Sequence, residues 1–268
     1  MQTVRKIDTH LHGYFSSDSN IDYHLLCRKA LANGYTDLIF TDHYDLLVSE
    51  FMAYGVFSIH EYFFALKELK KAFPRLNILI GLEIGEPHRN QSLLKKIFKQ
   101  YQPEYLIGSL HTLRSRINIS MSINKPLLAK QVKEYYEENL EMCIKGGFDT
   151  LGHLGIFKRG LPYFDDSLEK KYVHIIDEIF REMIKKNICL EVNVSGFRNT
   201  MFNTIPEPKT LNRYKKIGGR LITIGSDAHD LEHFHQFHDK TLDILSEIGF
   251  YHLNMKNGDD WDDIPILR

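Results

Sequence analysis

The sequence predicts an α/β fold in which about seven βα units close into a barrel, and two observations carry this prediction. Short β-branched or aliphatic runs alternate along the 268 residues with longer segments of helical periodicity, as in parallel sheets. Nearly every predicted strand also ends in a histidine or a carboxylate. An open, doubly wound sheet would spread these side chains along one edge, whereas a barrel brings them together.

The alternation of apolar runs with helical segments gives the predicted bounds of each strand and helix. Strands are predicted at 3–8, 36–41, 77–84, 104–109, 148–153, 188–194 and 220–226. Helices are predicted at 21–33, 58–73, 90–101, 125–145, 167–186, 207–217 and 239–248. Asp22 lies near the start of the first helix, and Ser58 with Glu61 forms a capping-box pattern at the second. We expect a single domain over 1–268, with about 255–268 as a C-terminal tail.

Composition and charge exclude several classes of function. Hydrophobic residues make up 43% of the chain and charged residues 26%, and the formal net charge is −1. This balance creates no overall field that would attract long nucleic acid or an anionic membrane, so an anion must be recognised locally. No apolar run reaches the roughly 18–20 residues that span a bilayer. Three separated cysteines without a CxxC pattern suit buried free thiols, and we expect a cytoplasmic protein.

The residues at the predicted strand ends are those that bind metal ions. His10 and His12 follow the first strand, and alternate residues of an extended segment face the same side. Asp227 and His229 form a second such pair after the last strand. A polar strand end facing water would explain one of these groups but not five strands with the same chemistry. Imidazoles and carboxylates without thiolates suit zinc, iron or manganese.

The number of candidate ligands indicates that the site holds more than one metal ion. Six are histidines and three are carboxylates: His10, His12, His43, His111, His153, His229, Asp18, Glu83 and Asp227. Because one zinc ion takes about four ligands, this set is too large for a single ion and implies two or three. Glu83, in the middle of the strand order, is the candidate to bridge them. The sixth strand ends in Glu191, Asn193 and Ser195, to which the sequence assigns no role.

Six motifs resemble, in order, those of the PHP family (polymerase and histidinol phosphatase). They are "DTHLH" with Asp18 downstream, "TDH", "GLEIG", "GSLH", "GHLG" and "GSDAH", and they run from residue 8 to residue 229. The resemblance implies a distorted (β/α)7 barrel with the metal site at the C-terminal ends of the strands. It also implies three divalent metal ions.

Carried over position by position, the resemblance divides the ligands into three sets. The first ion would be held by His10, His12, Glu83 and Asp227. The second would be held by Asp18, His43 and His229. Glu83 would bridge to a third ion, which is completed by His111 and His153. Some members have a histidine at the position of Asp18, so this chain carries the carboxylate variant.

Two further stretches, "GIFKRG" (155–160) and "NVSGFRNT" (193–200), resemble the monofunctional histidinol-phosphate phosphatases of the family. Each carries one arginine, Arg159 and Arg198, and guanidinium groups suit phosphate because they present paired donors. The implied activity is hydrolysis of L-histidinol phosphate by a hydroxide that bridges two metal ions. Asp227 or His229 is a candidate to protonate the leaving oxygen.

Two other functions stay open at this point. The same fold could act on nucleotides or oligonucleotide ends, although the near-neutral charge disfavours long nucleic acid. A non-catalytic metal-binding module is the other alternative. We expect the partner to be a small phosphate monoester, and neither long nucleic acid nor a membrane. The sequence does not determine the oligomeric state.

Two expectations concern residues around the metal ligands. We expect Asp8 and Asp42 to accept hydrogen bonds from metal-bound imidazoles. A histidine-rich stretch, with His233, His235 and His238, is expected to form a solvated face.

Overall fold

Seven parallel strands form a nearly closed barrel in the computed structural model, which describes residues 5–45, 57–120, 126–159, 161 and 166–267. The strands are β1 (Ile7–Leu11), β2 (Asp37–Phe40), β3 (Asn77–Gly85), β4 (Tyr105–Ser109), β5 (Thr150–Leu151), β6 (Cys189–Asn193) and β7 (Ile222–Gly225). Each strand pairs with the next along the chain. The predicted (β/α)7 barrel is therefore confirmed. Residues 3, 4, 125 and 160, which belonged to predicted elements or motifs, lie outside the described ranges.

The barrel closes where the chain leaving β7 meets β1. The main-chain N–H of Asp227 donates to the carbonyl of His10 at 2.9 Å, and Leu11 forms a parallel bridge with Ala228. With partners on both sides, β1 continues to Leu11, so the predicted end of this strand at Asp8 was wrong. His10 consequently lies inside the strand and is completely buried.

The described helices surround the barrel. They are α1 (Tyr23–Ala32), α2 (Ile59–Ala72), α3 (Gln91–Gln100), α4 (Ala129–Lys145), α5 (Asp166–Lys171), α6 (Val173–Lys185), α7 (Pro208–Ile217) and α8 (His238–Ile248). Both predicted N-caps are present, since Asp22 accepts from Leu25 N at 2.8 Å and Ser58 accepts from Glu61 N at 3.4 Å. Among these helices, none is long and apolar enough to cross a membrane.

The helix predicted at 167–186 is instead two helices, α5 and α6, separated at Tyr172. Glu169 of α5 turns its carboxylate inward, where it accepts from Lys158 Nζ at 2.6 Å and from the hydroxyl of Tyr136 at 2.6 Å. Both partners lie outside the segment 167–186, so its periodicity could not predict these contacts.

The C-terminal stretch is more ordered than a tail. Strands β8 (His252–Asn257) and β9 (Asp260–Pro265) form an antiparallel hairpin around a turn with Gly258 at a φ of 59°. Asn254 accepts from Ile222 N of β7 at 2.9 Å and so ties the hairpin to the barrel. The Asn-Gly pair is a hairpin signal that the sequence does contain.

The cysteine prediction is confirmed within the fold. Cys27, Cys143 and Cys189 are all free of disulfides and buried.

The cap at Asp22 can be tested through stability. We expect Asp22→Ala to lower the free energy of unfolding by about 1 kcal/mol, because the N–H of Leu25 loses its acceptor. Urea denaturation measures the change. Asp22→Asn keeps an acceptor oxygen and should stay near the wild type, and equal destabilisation by both variants would contradict a capping role.

Candidate metal centre

A cavity of about 230 Å³ lies at the carboxyl ends of the barrel strands. Seven of the nine predicted ligands line it: Asp18, His43, Glu83, His111, His153, Asp227 and His229. His10 and His12 lie beside these groups and are both 0% exposed. The structure thus brings all nine side chains together, although they are spread over most of the chain.

Three residues of the first predicted set, His10, His12 and Glu83, lie close enough together to hold one metal ion, and Asp227 lies beside the two imidazoles. His10 Nε2 and His12 Nε2 are 2.9 Å apart, and they lie 3.3 and 3.5 Å from Glu83 Oε2. Asp227 Oδ1 lies 3.8 and 3.4 Å from the same two nitrogens. Four ligands placed about 2.0–2.2 Å from a zinc ion would be about 3.3–3.6 Å from one another. Most of these distances fall close to that range, so His10, His12 and Glu83 fit a metal ion, and Asp227 Oδ1 is near enough to the two imidazoles to join them.

The second predicted set forms a nearly equilateral triangle. Asp18 Oδ2 lies 3.6 Å from His43 Nε2 and 3.3 Å from His229 Nε2, and the two imidazole nitrogens are 3.3 Å apart. Asp18 and His229 have side chains 35% and 24% exposed. This set is therefore on the open side of the centre.

Glu83 connects the sets through its two oxygens. Oε2 faces the first set and is 2.8 Å from His43 Nδ1, whereas Oε1 is 3.2 Å from His111 Nε2 and 2.9 Å from His153 Nε2. The hydroxyl of Ser109 donates to Oε1 at 2.6 Å. One carboxylate can thus serve two groups of imidazoles, as a bridging ligand must.

The electrostatics keep Glu83 ionised and His12 neutral, whereas neighbouring carboxylates raise the pKa values of His10 and His111 despite their burial. Burial raises the cost of ionising Glu83, but the surrounding imidazoles, His10 first, hold its pKa well below the usual range. Burial lowers the pKa of His12 well below its usual value, and the nearby His229 and His43 lower it further. A neutral imidazole and an ionised carboxylate are the forms that bind metal.

Two carboxylates without a predicted role contact Nδ1 of imidazole rings whose Nε2 atoms face Glu83. Glu191 Oε1 lies 2.5 Å from His10 Nδ1, and Asp45 Oδ2 lies 3.0 Å from His111 Nδ1. Gly225 permits the first contact, because a Cβ at that position would come within 2.3 Å of Glu191 Oε1. Such partners set the tautomer and orientation of metal-binding histidines. The position of Glu191 on a strand end was the available signal.

Within the described residues, Asp8 and Asp42 do not accept hydrogen bonds from imidazoles, so the prediction for these two residues was wrong. Asp8 accepts from the main-chain N–H groups of Ser226 and His10, at 2.9 and 3.3 Å. Asp42 accepts from Ser16 Oγ at 2.9 Å, and that hydroxyl is 3.1 Å from His12 Nδ1. These carboxylates therefore organise the backbone around the centre, and Asp42 reaches an imidazole only through a serine.

Both predicted arginines lie next to Asp227. Arg159 lines the cavity, donates from Nη2 to the carbonyl of Ser120 at 3.1 Å, and places Nη1 3.5 Å from Asp227 Oδ2. Arg198 donates from Nη2 to the carbonyls of Ser226 and Asp227, both at 2.9 Å. Its Nη1 is buried and has no hydrogen-bond partner among the described residues.

The histidine-rich stretch is not a solvated face throughout. His238 is only 6% exposed. His235 Nδ1 lies 3.2 Å from the hydroxyl of Tyr35, against the outside of the barrel. The sequence showed the polarity of this stretch but not the aromatic residue that covers it.

Comparison with known proteins identifies the barrel. The PHP domain model matches residues 8–195, which is most of the chain. The chain belongs to the PHP family. A probable histidinol-phosphatase of Clostridium acetobutylicum is 31% identical over 233 residues, covering 83% of this chain and 86% of the relative. A histidinol-phosphatase of Lactococcus lactis is 27% identical over 263 residues, covering 95% and 96%.

A solved structure agrees with this PHP barrel over nearly its whole length. It is the crystal structure of histidinol phosphate phosphatase from Lactococcus lactis in complex with zinc, L-histidinol and phosphate. The TM-score is 0.79 at 25% identity, and the match covers 97% of this chain and 99% of the other. The putative histidinol phosphatase of Listeria monocytogenes, at 18% identity and a TM-score of 0.72, shares the fold.

The support of His111 by Asp45 can be tested through metal affinity. We expect Asp45→Ala to weaken binding of one zinc equivalent by about 10–100-fold, because the imidazole loses the partner that orients it. Metal content after dialysis against buffered zinc, measured by mass spectrometry, reports the change. Asp37→Ala removes a buried carboxylate paired with Arg5, away from the centre, and should leave metal content unchanged. An unaltered zinc content in Asp45→Ala would count against the support role.

Proposed function

We propose that the chain is a metal-dependent phosphomonoesterase that hydrolyses L-histidinol phosphate to L-histidinol and phosphate. The observation that carries the proposal is one cavity shared by metal-binding side chains and the guanidinium group of Arg159. The relatives named histidinol-phosphatase, and the zinc, L-histidinol and phosphate in the Lactococcus lactis structure, support this substrate.

Three divalent ions, held in the sets described above, are part of the proposal. Zinc is supported by the Lactococcus lactis structure, and the imidazole and carboxylate donors equally suit iron or manganese. Metal ions bound there supply an activated water and neutralise charge on the phosphoryl oxygens. The two oxygens of Glu83 face different imidazoles, and Glu83 so fixes the positions of the ligand sets relative to one another.

The two arginines bind the phosphate in this proposal. Arg198 Nη1 is a buried donor without a partner among the described residues, and an unsatisfied buried donor costs about 1–3 kcal/mol. A phosphate oxygen would supply the missing acceptor. Arg159 approaches from the cavity wall, and its contact with Ser120 fixes one end of the guanidinium. Both guanidinium groups contact Asp227, so their planar donors would hold a phosphate next to the metal-binding residues.

The leaving oxygen of L-histidinol must gain a proton as its bond to phosphorus breaks. His229 and Asp227 are the proposed sources. His229 Nδ1 lies 3.2 Å from the carbonyl and 3.5 Å from Oδ1 of Asp227, and its ring is on the open side of the cavity. The carbonyl of Asp227 can only accept, so it keeps a proton on Nδ1 of His229, and this is the proton available for transfer when Nε2 binds a metal ion.

The proposal also covers the cellular compartment of the protein and its domain organisation. The three buried, unpaired cysteines favour a reducing compartment such as the cytoplasm. A single domain over 1–268 is proposed, since the C-terminal hairpin is tied to β7 through Asn254.

The substrate proposal is tested by turnover. Protein supplied with zinc or manganese should release phosphate from L-histidinol phosphate with saturation, and a chelator should abolish release. A panel of nucleoside monophosphates and short oligonucleotides is run in parallel. Faster turnover of a nucleotide, or no turnover of L-histidinol phosphate at full metal content, would sink the proposal.

The phosphate role of the arginines is tested by substitution. Arg159→Ala and Arg198→Ala should each raise KM, and weaken inhibition by inorganic phosphate, by about 10–100-fold, because each removes charged donors. Initial-rate kinetics measure both effects.

Arg213→Ala is the matched control, since this arginine pairs with Asp177 on the outer helices. Its KM should equal that of the wild type. An unchanged phosphate inhibition constant in both site variants would contradict the assignment.

A further inference from the structure

Asn193 lies at the end of β6, between the metal-binding residues and the segment that carries Arg198. Its side chain is completely buried. The residues that follow, Val194–Arg198, form a 3-10 helix. The chain therefore passes from the barrel to a phosphate-binding arginine directly through Asn193.

Both the oxygen and the nitrogen of the Asn193 side-chain amide make hydrogen bonds. Ser195 N–H donates to Oδ1 at 2.9 Å, and because that partner can only donate, the amide oxygen must face it. Nδ2 is then left to face two carboxylates, Glu191 Oε1 and Asp227 Oδ2, each at 3.2 Å. The two hydrogens of the amide match two acceptors.

Each partner of this amide touches a different part of the site. Glu191 Oε1 is the atom that holds His10 Nδ1, and Asp227 Oδ2 is the oxygen that faces Arg159. Ser195, capped by the amide oxygen, places its hydroxyl 3.4 Å from Arg159 Nη1. By occupying Oδ2 of Asp227, the amide leaves Oδ1 directed at His10 and His12.

The backbone of Asn193 is also held, which makes the amide a rigid support. Its N–H donates to the carbonyl of Ile205 at 2.8 Å, and its carbonyl accepts from Ile205 N at 2.9 Å. A side chain with a restrained backbone and three hydrogen bonds has little freedom to turn. Preorganised partners of this kind are what hold site residues in productive geometry.

We propose that Asn193 is a positioning residue that couples the metal-binding carboxylate Asp227 to the two phosphate-binding arginines. The inference rests on the proposed phosphatase function and deepens it. The donor end of the amide sets the rotamer of Asp227 and supports Glu191 behind His10. The acceptor end sets the start of the 3-10 helix and thereby the placement of Ser195 and Arg198.

The substitution Asn193→Asp tests the donor end of the amide separately from the acceptor end. It keeps an oxygen for Ser195 N–H but turns the donor toward Glu191 and Asp227 into an acceptor beside two anions. We expect inorganic phosphate to bind about 10–100-fold more weakly to the zinc-loaded variant, measured by isothermal titration calorimetry. We also expect less zinc retained against a chelator, and a higher KM for L-histidinol phosphate. Asn193→Ala, which adds no charge, should show the same directions and serves if the aspartate variant does not fold.

Asn254→Asp is the matched control. Asn254 is a buried asparagine that also accepts from a main-chain N–H, that of Ile222, and donates to a carboxylate, Asp263, at 2.7 Å. It lies in the C-terminal hairpin away from the cavity. We expect this variant to lose stability in thermal unfolding while phosphate affinity, zinc retention and KM stay at wild-type values.

The outcomes separate the inference from the proposed function. Wild-type phosphate affinity and zinc retention in whichever Asn193 variant folds would overturn the positioning role, as would equal losses in Asn254→Asp. If the wild-type protein binds phosphate and zinc but does not hydrolyse L-histidinol phosphate, the proposed substrate fails. In that case weaker phosphate binding by the Asn193 variants would still support the inference.

Discussion

Glu83 places both of its carboxylate oxygens among imidazoles at the centre of the barrel, and the rest of the site is arranged around it. Its Oε2 is within 3.5 Å of His10 and His12, and its Oε1 is within 3.2 Å of His111 and His153. A buried carboxylate is costly unless it is paired. The imidazoles come from several strands, so only a closed or nearly closed barrel can surround Glu83 in this way.

A second layer of groups keeps those imidazoles in place. Glu191 and Asp45 hold the far sides of two rings, while Glu86 accepts from the main-chain N–H groups of His111 and Thr112 at 2.7 and 2.6 Å. The layer is made of acidic side chains because imidazole and main-chain N–H groups are donors. Small residues such as Gly225 leave the space that these contacts need.

The two arginines proposed to bind phosphate share one partner, Asp227, with the metal centre. Arg159 and Arg198 are far apart along the chain, yet both contact Asp227, one at its carboxylate and the other at its carbonyl. The distance between the candidate metal ligands and the two arginines is therefore set by one residue and its neighbours. We infer that a disturbance of Asp227 would affect both functions together, because the two share this support.

Local sequence determined the alternation of strands and helices, the caps at Asp22 and Ser58, and the chemistry of the nine metal-binding candidates. These features depend on periodicity and on residue type, which a sequence states directly. Only the tertiary structure decided that β1 runs on to Leu11, that the segment 167–186 breaks at Tyr172, and that Glu191 and Asp45, not Asp8 and Asp42, hold imidazoles. Each of these depends on a partner distant in the chain, and closure of the barrel is what brings the partners within hydrogen-bonding distance.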